Sequence, residues 1–113
     1  MSREGDGLGR ETAIDGLVER LKARIGEHLR IQELIWFGSR AEGGGDKWSD
    51  YDFVVVSPDF NGVPILDRGR LLLPLRERGV SYDFLCYTPE EYERLKSQIT
   101  MVREVARRGV RVI

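Results

Sequence analysis

Leu34-Ile35-Trp36-Phe37-Gly38-Ser39, ten intervening residues, then Asp50-Tyr51-Asp52-Phe53-Val54-Val55-Val56: the fold turns on this stretch. Leu34 to Phe37 is a short apolar run stopped by Gly38, and it reads as a buried strand. The loop from Ser39 to Ser49 is polar and glycine-rich. Tyr51 to Val56 is the clearest strand in the chain, ended by Ser57-Pro58.

Working outward, Ile14, Leu17, Val18, Leu21, Ile25 and Leu29 recur at three- and four-residue steps, which predicts a leading amphipathic helix. Thr12 is placed to cap it, with Asp15 in its first turn. Ile65 to Arg78 is expected to be helical, with Leu66, Leu72, Leu73 and Leu75 apolar, although Gly69 and Pro74 weaken that reading. Val80 to Tyr87 predicts a third strand. Thr88-Pro89-Glu90-Glu91 supplies a cap residue, a proline at the first helical position and a capping-box glutamate. Tyr92, Leu95, Ile99, Val102 and Val105 carry that helix to Gly109, a C-terminal stop. Val110 to Ile113 predicts a last short strand. The expected fold class is α+β: a small mixed sheet flanked by helices, ordered α-β-β-α-β-α-β.

The 113 residues fit one domain, expected over residues 11–113 after a flexible, glycine-rich lead-in over residues 1–10. That length leaves no room for a separate substrate-recognition domain. A formal net charge of −1 gives no basic field, so nucleic acid is not an expected partner. The basic clusters Arg103 to Arg108 and Arg68 to Arg78 have helical spacing and read first as solvated faces. Cys86 is the single cysteine, which excludes an internal disulfide and reads as a small buried filler. No apolar signal core or membrane-length run is visible, so a soluble, cytoplasmic protein is expected.

Asp50 and Asp52 flank one strand residue, so both carboxylates share a face, about 7 Å apart along the strand. Aspartate is disfavoured in strands, and like charges on one face repel. Such a pair is tolerable at a solvent-facing strand end, or with a cation between the two groups. The hard cation that matches carboxylate oxygens and substrate phosphates is Mg²⁺. Asp83, inside the apolar run Val80 to Leu85, is the third candidate ligand and the natural base for an incoming hydroxyl. If its strand neighbours the Asp50–Asp52 strand, three carboxylates converge and suffice for two metals. Gly38 lets a phosphate approach the backbone, Ser39 adds a hydroxyl donor, and Arg40 can reach a phosphate. These parts fit in-line attack on a nucleoside triphosphate, with pyrophosphate leaving.

Plainer readings stand beside these. Asp50 can simply cap a turn. Asp83 can be a structural carboxylate paired with Arg76 or Arg78. Arg40 reads more as a loop brace than as a chemical group, Trp36 and Trp48 as packing residues, and His28 as a surface residue. Gly43-Gly44-Gly45 reads equally as a nucleotide lid or a permissive connection. The Gly-Ser-x10-Asp-x-Asp spacing alone should arise by chance in on the order of one chain in a thousand.

Gly38-Ser39-Arg40-Ala41-Glu42-Gly43 followed by Ser49-Asp50-Tyr51-Asp52 resembles the signature of DNA polymerase β-type nucleotidyltransferases. More narrowly, the chain resembles the minimal nucleotidyltransferases, which are little more than the catalytic core. The resemblance implies Mg²⁺ ligation by Asp50 and Asp52, with Asp83 completing the triad and Gly38 and Ser39 holding the triphosphate. Many minimal members are antitoxins paired with a HEPN ribonuclease, which they modify with AMP on a tyrosine hydroxyl. That implies ATP as donor and a HEPN-domain partner here. Two alternatives remain open: a binding module that sequesters such a partner without catalysis, and transfer to a small molecule or RNA end. Self-association is also left open.

Overall fold

The computed structural model describes residues 16–44 and 49–113. The expectations for residues 1–10, Thr12, Ile14, Asp15, Gly45 and Trp48 lie outside the described residues. Helix α1 is Gly16–His28, followed by strands β1 (Glu33–Phe37) and β2 (Tyr51–Val56). Two 3₁₀ segments, Pro58–Phe60 and Ile65–Leu75, cross over to β3 (Tyr82–Tyr87). Helices α2 (Pro89–Lys96) and α3 (Met101–Arg108) lead to β4 (Val110–Arg111).

The strands form one sheet in the order β3-β2-β1-β4. β1 runs antiparallel to β2 and β4, whereas β2 and β3 are parallel, so the sheet is mixed as expected. On one face, Leu17, Val18, Leu21 and Ile25 of α1 pack with Trp36, Phe53, Val55 and the 3₁₀ residue Leu72. On the other, Ile35, Val54 and Val56 pack under Tyr92, Val102 and Val105 of α2 and α3. Phe53 through Val56 are buried on both faces, which is why β2 reads as a continuous apolar run. Cys86 is buried in the first core, where burial pushes its thiol up to about 12 and keeps it a neutral filler.

Three expectations are corrected. The expected helix from Ile65 to Arg78 is an eleven-residue 3₁₀ stretch that ends at Leu75. Pro74 cannot donate a helical hydrogen bond, and the tighter winding leaves Leu66 and Leu73 exposed while burying Leu72 and Leu75. The expected single helix from Pro89 to Gly109 is two helices. Thr100 caps α3 by accepting from the Arg103 N–H at 3.1 Å, and its hydroxyl donates to the Leu95 carbonyl at 2.7 Å. Ile99 therefore sits in the connection, 93% exposed, rather than on the core stripe. Finally, Arg68 is not solvated but buried, held by a salt bridge to Glu91.

Gly109 ends α3 for a packing reason. Its φ of −72° suits any residue, but an added Cβ would overlap the Ile35 side chain and lie 2.7 Å from the Val105 carbonyl oxygen. Gly109→Ala is therefore expected to cost about 1–3 kcal/mol through overpacking between α3 and β1, read from urea unfolding midpoints. An unchanged midpoint would show that this junction can relax without cost.

Candidate active site at the open end of the sheet

Helices α2 and α3 cover the Val54–Val56 end of their sheet face and leave the Asp52 end open. Strand alternation puts Asp52 on the same face as Val54, and Asp83 on the same face as Leu85. The parallel register sets Asp52 directly opposite Asp83, and the antiparallel register sets it opposite Phe37 on its other side. The tolerance of aspartates in both strands thus has a local cause: they lie where the apolar face stops and solvent begins. Asp83 is exposed, Asp52 is half-buried, and Asp50 is exposed immediately before β2.

Burial of Asp52 raises its carboxyl above the ordinary aspartate value, and the charges of Asp83 and then Asp50 raise it further. Asp52 therefore feels both of the other carboxylates. Among the described residues, however, no group of three or more His, Cys, Asp or Glu side chains is drawn closely enough to enclose a metal ion. Asp52 and Asp83 sit opposite one another across β2 and β3, with Asp50 one residue before β2. What the residues offer is an open half-site of hard oxygen donors. That suits Mg²⁺, which commonly takes one or two carboxylates, several waters and substrate phosphates rather than a closed protein cage. Asp50 and Asp52 are the residues that could hold it.

Gly38 leaves β1 at the site's edge with φ +87°, a conformation that L side chains rarely adopt. A Cβ there would overlap the Asp52 carboxylate oxygen, so the position admits only glycine while Asp52 keeps its place. The chain then makes one helical turn, in which the Glu42 N–H donates to the Gly38 carbonyl at 3.1 Å and the Gly44 N–H to the Ser39 carbonyl at 2.8 Å. Ser39 is exposed, and the N–H groups of Ser39 to Ala41 precede the turn's first hydrogen bond.

Arg40 does not join the carboxylates. Its Nε donates to the Ser49 carbonyl at 2.8 Å, and its guanidinium lies 4.3 Å above the Tyr51 ring, on the opposite sheet face from Asp52. It ties the start of the 39–49 loop to its end. Arg76 lies over the Tyr82 and Phe84 rings, likewise on the face away from Asp83. The suggested pairing of Asp83 with Arg76 therefore finds no support. His28 is exposed and meets the Leu71 carbonyl at 2.9 Å.

The sequence also left unremarked a cavity of about 270 Å³ between the Gly38–Glu42 turn and α3. No local motif signals it, because its walls come from segments some sixty residues apart.

The sequence profile of the nucleotidyltransferase domain family matches residues 14–112. Among solved structures, the chain is similar to a proposed nucleotidyltransferase from Sulfolobus solfataricus, with 19% identity and a TM-score of 0.58, over 83% of this chain and 84% of that one. It is also similar to BolA1 from Arabidopsis thaliana, with 22% identity and a TM-score of 0.54, over 69% of this chain and 98% of that one. The BolA domain of SufE1 from the same plant gives 22% identity and a TM-score of 0.55, over 70% and 99%. At these identities the structural likenesses speak for the fold alone. No curated protein matches.

Proposed function

Since the chain belongs to the nucleotidyltransferase domain family, we propose that it moves AMP from ATP to a hydroxyl of a protein partner. The single observation that carries the site is the register of Asp52 opposite Asp83 at the open end of the sheet, one residue from Gly38. Asp50 and Asp52 would hold Mg²⁺, which would supply charge neutralisation to the donor's phosphates. Gly38 keeps the backbone low enough for the phosphates to approach, and Ser39 donates its hydroxyl to them. Asp83, exposed at the outer side of the pair, accepts the proton of the acceptor hydroxyl. That oxygen bonds to the α-phosphorus, the bond from the α-phosphorus to the bridging oxygen breaks, and pyrophosphate carries off the electron pair.

The finer assignment, a tyrosine of a HEPN-domain partner and an antitoxin role, rests on the resemblance to the minimal nucleotidyltransferases. The absence of a basic field over the chain favours a protein acceptor over RNA. Incubation with Mg²⁺, radiolabelled ATP and the product of the neighbouring gene is expected to label that product, and mass spectrometry to place AMP on a tyrosine. Labelling that survives Asp50→Asn combined with Asp52→Asn would remove these residues from the site. A stable complex that never takes label would replace transfer with sequestration.

A further inference from the structure

We infer that the cavity between the Gly38–Glu42 turn and α3 is a subsite for the purine nucleoside part of the donor. This rests on the nucleotidyl-transfer reading and extends it to which part of the donor the protein recognises away from the phosphates. Position is the first argument. Gly38 lines the cavity and is also the residue whose missing Cβ makes room for the Asp52 carboxylate. Gly38 therefore borders both the cavity and the Asp52 carboxylate.

Size is the second. At about 270 Å³ it falls below the roughly 300–1,000 Å³ of sites that swallow a whole ligand, so it takes a part of one. A base with its sugar is such a part.

Lining is the third. Phe37, Val105 and Met101 give apolar walls, while Glu42, Glu104 and Arg108 supply the charge. Two carboxylates against one guanidinium repel phosphate, so the phosphates belong outside, at Gly38-Ser39. Carboxylates accept from the ring or exocyclic N–H groups of a base, and a guanidinium donates to N7, an acceptor that only purines carry. Met101 lines the cavity and is 57% exposed, so its side chain is accessible to a ligand there. A thioether at the mouth of a cavity suits contact with an aromatic ring.

The test is calorimetric binding of inorganic tripolyphosphate, ATP, GTP and CTP, each with Mg²⁺, to the full chain and to Glu104→Trp and Met101→Trp. These two substitutions fill the cavity from α3, away from the phosphate-binding turn, and thermal melting checks that each variant folds. In the unaltered chain, ATP and GTP are expected to bind at least about tenfold tighter than tripolyphosphate or CTP. In either folded variant that margin disappears while tripolyphosphate affinity holds. A purine margin that survives both substitutions, or is absent from the unaltered chain, overturns the subsite. Should tripolyphosphate fail to bind at all, the phosphate assignment at Gly38-Ser39 falls. Loss of ATP binding in the filled variants would still support the cavity.

Discussion

Asp52→Asn is expected to lower the transfer rate on the order of a thousandfold while making the ligand-free protein more stable at neutral pH. The two effects share one cause. Asp52 is half-buried, lies opposite Asp83 across a strand pair and follows two residues after Asp50. Burial first, then those two charges, hold its carboxyl above the ordinary value of 3.8. A carboxylate raised in the folded state binds its proton more tightly there than in the unfolded chain. Its contribution therefore weakens folding as pH rises through the folded-state value, and vanishes below the unfolded one. Asparagine removes that penalty without changing the side chain's size. The melting temperature of Asp52→Asn should thus exceed that of the unaltered chain at pH 7, and the difference should close as pH falls below about 3.8. Mg²⁺ with ATP should stabilise the unaltered chain and leave the variant unmoved. A variant that melts lower at pH 7, or that keeps its activity, would mean that Asp52 is a structural carboxylate.

The strain at Asp52 also explains what was legible in the sequence. Residues that break a local rule for a chemical reason stand out: aspartates in an apolar strand, glycine where a strand stops. β2 was readable to its ends because Phe53 to Val56 are buried on both faces and Pro58 stops them. The Thr88–Glu91 capping box was readable because all its partners lie within four residues, and the Thr88 side chain does accept the Glu91 N–H. The break at residues 97–100 was not, although Ser97 and Thr100 were signals. A helical stripe through Ile99 remains consistent with the sequence until one knows that Thr100 spends its hydroxyl on Leu95 and Arg103. Long-range pairings fared worst. Arg40 turning back on Ser49 and Tyr51, and the cavity between the Gly38 turn and α3, depend on how distant segments pack, and no periodicity carries that information.

Arg68 is the sharpest instance of that limit, and Arg68→Ala is expected to cost about 2–4 kcal/mol, the largest stability effect of the substitutions considered. In the sequence it is one of several arginines at helical spacing. In the fold it is 6% exposed and joins three segments. Its guanidinium donates to both Glu91 carboxylate oxygens, at 2.5 and 3.1 Å, while Nε donates to the Val63 carbonyl and Nη1 to that of Cys86. Glu91 also accepts the Thr88 N–H at 2.9 Å, so the clamp fixes the start of α2 against the crossover and the end of β3. Truncation to alanine leaves two carbonyls and a partly buried carboxylate without this donor. Arg68→Lys keeps the charge but loses the two-pronged geometry, and is expected to cost about half as much. The pH dependence supplies a check that simple packing loss would not reproduce. The Arg68 hydrogen bond is the main cause that brings the Glu91 carboxyl down from 4.5 to about 2. A depressed carboxylate stabilises the fold above its unfolded value and loses that contribution as pH falls toward the folded one. The stability of the unaltered chain against urea should accordingly fall as pH drops from about 4.5 to about 2, and Arg68→Ala should flatten that slope. In a double-mutant cycle, Arg68→Ala combined with Glu91→Gln should cost less than the sum of the two single changes. Strict additivity, with the acid slope unchanged, would reduce Arg68 to a space-filling stem.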